Sequence, residues 1–210
     1  MQKKEIKETA VIVVDVQGDF TTHKNGSLAV AGTGIDYLEM VSSATKKMKA
    51  MGYPIFATQD WHPVDHISFY TNNPGKSIHE TIEINNRSQI LWPPHCVQNS
   101  ENAKILVDNT LFDAIVKKGM NSEYDSYSGF FDDGGDPTGL GDILKNRGIT
   151  KLIIYGIATD YCAKATALDA LALGFKVSLV ESLCRGVETD TTRSALDEIL
   201  AAGVRILPAI

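Results

Sequence analysis

The sequence predicts an α/β protein in which a mostly parallel β-sheet is covered by helices. Short runs rich in β-branched residues alternate with longer segments of helical periodicity along the 210 residues. Glycines come near the ends of several helical segments, where they commonly form C-caps. Alternation of this kind is typical of parallel sheets with crossover helices on both faces. With 43% hydrophobic residues, residues 1–210 are expected to form one domain.

The individual elements follow from these two patterns, taken in chain order. The apolar, β-branched runs predict strands at Ala10–Val14, Pro54–Thr58, Asp113–Lys117, Lys151–Gly156, Lys176–Val180 and Val204–Leu207. The helical periodicity predicts helices at Ile35–Ala50, Leu140–Asn146, Tyr161–Leu173 and Thr191–Ala202, each followed closely by a glycine. Residues 59–107 show no clear element, and a long irregular insertion in a compact domain is usually functional. We expect this insertion to form a lid or a metal-site wall over a site.

Composition excludes several classes of protein. The three cysteines, Cys96, Cys162 and Cys184, are odd in number and widely spaced, which argues against a disulfide framework. The N-terminal MQKKEIKE has no apolar core of a signal peptide, and no apolar run approaches a membrane span. A net charge of −6 without a basic block argues against nucleic-acid binding. We therefore expect a cytoplasmic protein with neither a membrane nor a nucleic-acid partner. A homo-oligomer remains open.

Four reactive side chains come at the ends of four predicted strands. They are Asp15, Asp60, Lys118 and Cys162. Each alone has an ordinary explanation: a turn residue, a solvated lysine, or a small buried thiol. In an open parallel sheet, however, ligands bind beyond the carboxyl ends of the strands. Their convergence on one edge therefore favours a site.

The first turn of the helix predicted at Tyr161–Leu173 suits a nucleophilic side chain. Asp160 is predicted to be the N-cap of this helix, which leaves Cys162 in its first turn. The unpaired N–H groups and positive potential there stabilise a thiolate and an oxyanion. Asp15 could accept the thiol proton, and Lys118 could keep Asp15 ionised and oriented. The three residues therefore predict a cysteine hydrolase.

A second constellation predicts a metal site. Asp60 and His62 are two residues apart, so in an extended segment both side chains leave on the same side. His66 lies nearby, and His95 could return from the insertion. A turn with a satisfied histidine is the alternative explanation. Cys96 could also supply a ligand, but adjacent side chains usually point apart. Oxygen and nitrogen ligands suit one divalent zinc, iron or manganese ion.

Five motifs, in order along the chain, identify a resemblance. They are VDVQGDF, ATQDWHPVDHISF, WPPHCVQ, KKGMNSEYDSYSGF and GIATDYCAKATALDA. The chain resembles nicotinamidases and pyrazinamidases of the isochorismatase-like cysteine hydrolases. The Asp-Trp-His-Pro element together with Trp-Pro-Pro-His-Cys is specific to this branch, whereas the cysteine motif marks only the superfamily.

The resemblance implies a Rossmann-like three-layer sandwich with a six-stranded parallel sheet. It implies that Asp15, Lys118 and Cys162 are catalytic, and it selects Lys118 over Lys117 because the family's lysine directly precedes a glycine. It also implies conversion of nicotinamide and water to nicotinate and ammonia through a cysteine thioester, in NAD salvage.

The resemblance further assigns the pocket. It implies that the metal ligands are Asp60, His62 and His95, with His66 a fourth ligand in some members. It places the pyridine ring between Phe20 and Trp92, with Tyr127 also at the substrate. The implied oxyanion hole consists of the N–H groups of Ala158 and Cys162, beside a non-proline cis peptide in the element matched by Ala158-Thr159. Gly18 departs from the pattern, because many members have asparagine there.

Three other functions remain as alternatives. Another metal-assisted amidase of the superfamily, such as a ureido or carbamoyl amidase, would generally lack the Asp-Trp-His-Pro element. A nucleotide-binding module would need a glycine-rich turn directly after the first strand, and none is present. A non-catalytic binding protein on this fold would not need the intact aspartate, lysine and cysteine.

Overall fold

The computed structural model of the protein describes residues 7–84 and 86–210. The prediction that the N-terminus is not a signal peptide falls partly on residues 1–6, which lie outside the described residues. None of the helices in the described part of the chain combines the length and apolar character needed to cross a membrane.

The centre of the fold is a six-stranded parallel sheet, which confirms the predicted fold class. Its strands are β1 (Thr9–Val14), β2 (Ile55–Asp60), β5 (Ala114–Lys118), β6 (Lys151–Gly156), β7 (Lys176–Val180) and β8 (Arg205–Leu207). The spatial order is β5-β2-β1-β6-β7-β8, and all neighbours pair in parallel. The strand order reverses between β1 and β6, and the crevice at such a reversal is where α/β sheets bind ligands.

Within residues 8–84 and 86–210, four α-helices cover the sheet: α1 (Ile35–Ala50), α2 (Leu140–Asn146), α3 (Lys164–Ala172) and α4 (Thr189–Ala202). Parallel crossovers are right-handed, so α1 lies on one face, and α2, α3 and α4 lie on the other. Helix α1 contacts β2, whereas α3 contacts both β7 and α4. Strand β1 is buried along its whole length, as expected for a central strand between two helical layers.

Several predicted elements needed correction, and those nearest the reactive residues matter most. Strands β2 and β5 run further than expected, so Asp60 and Lys118 are the last residues of their strands. The helix predicted from Tyr161 begins instead as a π-helical turn, Thr159–Ala163, that leads directly into α3. The insertion at 59–107 does contain regular structure, because Thr81–Ile84 (β3) and Arg87–Ile90 (β4) form an antiparallel hairpin. The hairpin is largely solvent-exposed, so its sequence carries no buried hydrophobic face.

Candidate active site

Lys118 lies at the centre of the group of reactive side chains. Its Nζ is 3.0 Å from Oδ2 of Asp15, pairs with Oδ1 of Asp60, and donates to the carbonyl of Ser126 at 2.6 Å. Sγ of Cys162 is 3.6 Å away. This convergence follows from the strand order, because β5, β2, β1 and β6 are neighbours and end at the same edge. The lysine side chain is fully buried, so its charge is balanced by protein groups alone.

Asp15 is held as a buried carboxylate at a left-handed backbone position with a φ of 46°. The hydroxyl of Thr58 donates to its Oδ1 at 2.6 Å. Burial raises the pKa of Asp15 to about 6, Lys118 opposes the rise, and the nearby charge of Asp60 adds to it. A carboxyl group with this pKa can exchange a proton near neutral pH, as general acid–base catalysis requires.

Cys162 lies in the π-helical turn, and its Sγ is within 4.8 Å of carboxylate oxygens of Asp15 and Asp60. Burial raises the pKa of the thiol well above its usual value, Lys118 opposes this, and Asp15 raises it further. The stabilisation of a thiolate predicted for the helix opening is therefore not the dominant effect on the resting thiol, and the transfer of its proton to Asp15 stays a prediction. Burial and two carboxylates outweigh the potential of a short helical turn, so the thiol keeps its proton until a base removes it.

The N-cap prediction for Asp160 was also wrong. Asp160 lies inside the π-helical turn, whose N-cap is Ala158. Its carboxylate accepts the N–H of Val187 at 3.0 Å and the hydroxyl of Thr191 at 2.6 Å. Asp160 therefore ties the turn that carries Cys162 to the start of α4.

Ala158 and Cys162 both line the cavity, as the predicted oxyanion hole requires. The cis peptide joins Ile157 to Ala158, one bond before the element expected from the resemblance. The carbonyl of Ala158 accepts the N–H of Ala163 at 3.0 Å, which fixes the backbone around the turn. The role of the two N–H groups as oxyanion donors stays a prediction.

The residues Asp60, His62 and His95 are arranged as metal ligands. One potential ligand atom from each lies within 4.8 Å of the others, and all three side chains are buried. Nδ1 of His62 lies 3.0 Å from the carbonyl of Gly119, and Nδ1 of His95 lies 2.8 Å from the carbonyl of Pro93. A carbonyl only accepts, so each Nδ1 carries the proton and each Nε2 keeps its lone pair. Among the residues that the structure describes, buried Nε2 of His62 has no hydrogen-bond partner and lies 3.6 Å from Oδ2 of Asp60, which fits a metal ligand.

His66 lies beside this group but is engaged elsewhere. Its Nδ1 is 2.8 Å from the hydroxyl of Ser68, and its Nε2 is 3.2 Å from the carbonyl of Tyr124. Burial lowers the pKa of His66 to about 4, and His62 adds to this. Both ring nitrogens already have partners, although a ligand atom of His66 also lies within 4.8 Å of one of His62. Its part as a fourth ligand stays a prediction.

A cavity of about 450 Å³ opens above these residues, a size typical of small-molecule sites. Phe20 and Trp92 both line it, each only 9% exposed. Nε1 of Trp92 donates to the hydroxyl of Tyr127 at 3.0 Å. The edge of Trp92 also contacts Tyr161, with ring centroids 5.3 Å apart. The structure thus brings Tyr127 to the cavity, where it holds Trp92.

Sequence reasoning missed two buried carboxylates near the site. Asp125 lines the cavity and has a carboxylate oxygen within 4.8 Å of ligand atoms of His62 and His66. Asp19 lies behind the cavity wall and accepts the N–H of Cys96 at 2.6 Å. Asp19 stands inside VDVQGDF and Asp125 inside KKGMNSEYDSYSGF. Neither motif by itself indicates that its acid is buried.

Comparison with known proteins agrees with this arrangement. Residues 9–209 match the isochorismatase domain. The chain is 37% identical over 209 residues to a nicotinamidase of Acinetobacter baylyi, covering 98% of this chain and 94% of that protein. It is 39% identical over 202 residues to a nicotinamidase of Escherichia coli, covering 94% of this chain and 93% of that protein.

Three solved structures share the fold along nearly the whole chain. A nicotinamidase/pyrazinamidase of Acinetobacter baumanii has a TM-score of 0.87 and 37% identity, covering 96% of each chain. The L. infantum PnC1 protein in complex with nicotinate has a TM-score of 0.82 and 32% identity, covering 96% of this chain and 93% of that one. A pyrazinamidase of Pyrococcus horikoshii in complex with zinc has a TM-score of 0.80 and 36% identity, covering 95% and 98%. The chain belongs to the isochorismatase family.

Proposed function

We propose that this protein is a nicotinamidase that hydrolyses nicotinamide to nicotinate and ammonia in NAD salvage. The observation that carries the proposal is the meeting of Cys162, Asp15 and Lys118 beneath a cavity lined by Phe20 and Trp92. Identity of 37–39% to two nicotinamidases over nearly the whole chain supports the same substrate. The nicotinate bound to the L. infantum protein supports a pyridine acid as product.

The reaction begins with proton transfer from the buried thiol. With the pyridine ring between Phe20 and Trp92, the carboxamide would lie at Cys162. Asp15 takes the thiol proton, and the thiolate attacks the amide carbon. The oxyanion is stabilised by the N–H groups of Ala158 and Cys162, an effect typically worth about 10²–10³ in rate for each donor.

Asp15 and Lys118 then complete the turnover. Asp15 returns its proton to the departing nitrogen, which releases ammonia and leaves a thioester on Cys162. Asp15 next accepts a proton from water, which attacks the thioester carbon. The carbon–sulfur bond then breaks, Asp15 returns this proton to the Cys162 sulfur, and the released nicotinic acid ionises to nicotinate. Lys118 contacts both carboxylates and lies near the sulfur, so it holds Asp15 in place while the charges shift.

Asp60, His62 and His95 would hold one divalent ion, and zinc is the proposed metal, although iron or manganese would fit the same ligands. The zinc bound to the P. horikoshii pyrazinamidase supports this choice. Bound there, the ion would supply a Lewis acid for the ring nitrogen, and it would orient the carboxamide toward Cys162.

The insertion at 59–107 is proposed to act as the wall of this pocket. Ile78, His79, Trp92, Pro93 and His95 all line the cavity and all belong to it. We further propose that the protein works in the cytoplasm on a small-molecule substrate, with no membrane or nucleic-acid partner. Assembly into a homo-oligomer would be compatible with the site.

Ammonia and nicotinate release from nicotinamide by the purified protein tests the function. The assay is run on the protein as isolated, after chelation, and after zinc is restored. We expect both products in equal amounts, loss of activity on chelation, and recovery with zinc. Absence of nicotinate from zinc-loaded protein would contradict the proposal.

A further inference from the structure

Asp19 is a buried carboxylate that does not itself line the cavity. It belongs to the short 3₁₀ turn Gly18–Phe20 and is 8% exposed. Its Oδ2 accepts the N–H of Cys96 at 2.6 Å, and its Oδ1 accepts the N–H of Ser27 at 3.2 Å. The Ser27 hydroxyl and the Asn102 amide lie at 3.3 and 3.4 Å from the same Oδ1. No ion pair with Asp19 occurs among the residues that the structure describes, so neutral donors alone hold this charge.

These contacts connect two parts of the proposed site. Phe20 directly follows Asp19, and His95 directly precedes Cys96. The rings of Phe20 and His95 lie 5.6 Å apart. A single carboxylate therefore fixes the backbone beside an aromatic wall residue and beside a metal ligand.

The loop that carries His95 depends on Asp19 for its shape. Cys96 has a φ of 46°, a left-handed position that is costly for a residue with a side chain. Its N–H is fixed by Asp19, and the carbonyl of Pro94 accepts the hydroxyl of Ser27 at 2.9 Å. Asp19 thus holds the loop directly at Cys96 and indirectly through Ser27.

On the other side of Asp19, the backbone at Gly26 passes equally close. A Cβ atom on Gly26 would lie 2.2 Å from the carbonyl oxygen of Asp19, so only glycine lets the chain pass there. The same carbonyl accepts the N–H of Leu28 at 3.0 Å. Asp19 is therefore packed between residues 26–28 and the loop that carries His95, with little freedom to move.

We propose that Asp19 is a positioning residue that sets the orientation of His95 in the metal-ligand group. The proposal rests on the assignment of Asp60, His62 and His95 as ligands, which is part of the proposed function. Asp19 acts through the N–H of Cys96 and does not touch the substrate. Such supporting contacts typically change metal affinity or activity by about 10- to 100-fold when they are removed.

A carboxylate is favoured because the two backbone partners of Asp19, the N–H groups of Cys96 and Ser27, can only donate. An asparagine of nearly the same size offers one acceptor oxygen, and its amide N–H₂ must face either Cys96 or Ser27. In Asp19→Asn, one of these two N–H groups would therefore face the N–H₂ group of asparagine instead of an acceptor oxygen. Asp19→Glu keeps both acceptor oxygens on a longer side chain. The pair separates loss of the acceptor from change of size.

The test is the zinc affinity of metal-free protein, measured by competition with a chromophoric chelator. Asp19→Asn is expected to weaken zinc binding by about 10- to 100-fold, and Asp19→Glu is expected to retain more affinity than Asp19→Asn. Asn102→Ala removes only the longest of the four contacts and is expected to bind zinc as the wild type does. Wild-type affinity in Asp19→Asn would overturn the proposal, as would an equal loss in Asn102→Ala.

A second measurement distinguishes positioning from general loosening of the site. Of the three cysteines, only Cys162 lines the cavity, so iodoacetamide reports on the nucleophile. The alkylation rate of metal-free Asp19→Asn at pH 9 should match that of the wild type, since Asp15 and Lys118 are untouched. A large change in this rate would overturn the proposal. Zinc binding without nicotinamide hydrolysis in the wild type would end the proposed function and leave the affinity comparison valid.

Discussion

Nζ of Lys118 lies 3.0 Å from Oδ2 of Asp15, and both side chains are fully buried. An ion pair in this setting is screened little by salt, and each partner is costly to leave alone. Lys118 therefore limits the rise in the pKa of Asp15 that burial causes. The pair leaves Asp15 able to gain and lose a proton near neutral pH, which is what the proposed reaction asks of it.

The pH dependence of nicotinamide hydrolysis follows from this pKa. The pKa of Asp15 is raised to about 6, so the carboxylate form that accepts the thiol proton increases as the pH rises through that value. We expect kcat/KM to rise through about pH 6 and to level off above it, measured with excess zinc. Asp15→Asn should lose about 10²–10⁴ in rate, the usual contribution of general acid–base catalysis. A flat profile from pH 5 to 8 would contradict the role of Asp15.

Cys162→Ala should abolish hydrolysis because it removes the atom that forms the thioester. The variant should stay folded, since it loses only one small buried side chain. Cys184→Ala and Cys96→Ala remove thiols that do not line the cavity, and they should keep most activity. Ammonia release and circular dichroism on the three variants check this. Turnover by Cys162→Ala at the wild-type rate would rule out the covalent route.

The proposed ligand group determines how many metal ions each chain is expected to bind. The group of Asp60, His62 and His95 can hold one ion, so elemental analysis should find about one divalent metal per chain. His62→Ala and His95→Ala should each lose the metal and the activity. His66→Ala serves as a comparison, because both ring nitrogens of His66 already have partners, and it should keep more metal than the other two. Fresh active protein without metal would disprove the ligand assignment.

Replacement of Gly18 by asparagine, which many family members have at this position, is expected to reduce stability. A Cβ atom on Gly18 would lie 2.8 Å from Cα of Asn102 and 2.9 Å from its carbonyl oxygen, which are backbone atoms that cannot turn aside. Gly18→Asn should therefore reduce the free energy of unfolding by about 1–3 kcal/mol, the usual cost of overpacking.

The matched control for this change is Gly141→Ala in helix α2. A Cβ there would have its nearest contact at 3.6 Å, an ordinary van der Waals distance. Replacement of a helical glycine by alanine typically stabilises by about 0.5–1 kcal/mol. Urea denaturation of both variants gives the comparison. If Gly18→Asn unfolds as the wild type does, the contact with Asn102 is not limiting.

The fold was predictable because its signals are local. The β-branched runs and the glycines after the helices depend only on neighbouring residues, and the helices Ile35–Ala50 and Leu140–Asn146 begin and end where predicted. The strand-end rule then indicated which edge of the sheet would carry Asp15, Lys118 and Cys162. Short-range patterns were enough for both.

The features that could not be predicted from the sequence depend on contacts between distant parts of the chain. Asp160 binds Thr191, 31 residues away, and Asp19 binds Cys96, 77 residues away, so neither role is visible in a local pattern. The raised pKa of the Cys162 thiol results from burial and Asp15, which outweigh the opposing effect of Lys118. These groups meet only in the folded chain. The β3–β4 hairpin was missed because each strand has only four residues and its apolar side chains are no more than half-buried.

Substrate choice tests whether the metal site and the nucleophile act on the same molecule. Benzamide has the amide and nearly the shape of nicotinamide but no ring nitrogen. It would offer no ring nitrogen to the proposed metal and would leave the ring free to turn between Phe20 and Trp92. Holding reacting atoms in near-attack geometry can supply several kcal/mol of barrier lowering. We therefore expect kcat/KM for benzamide to be lower by roughly a hundredfold or more.

Pyrazinamide keeps a nitrogen at the matching ring position and should be accepted. A side-by-side ammonia assay on the three amides, with zinc-loaded protein, provides the measurement. His95→Ala supplies the internal control: it should reduce the rate on nicotinamide and pyrazinamide much more than the slow rate on benzamide, which gains nothing from the metal. Comparable rates for benzamide and nicotinamide in the wild type would show that the ring nitrogen is not selected. The metal would then be left with a structural or water-activating role.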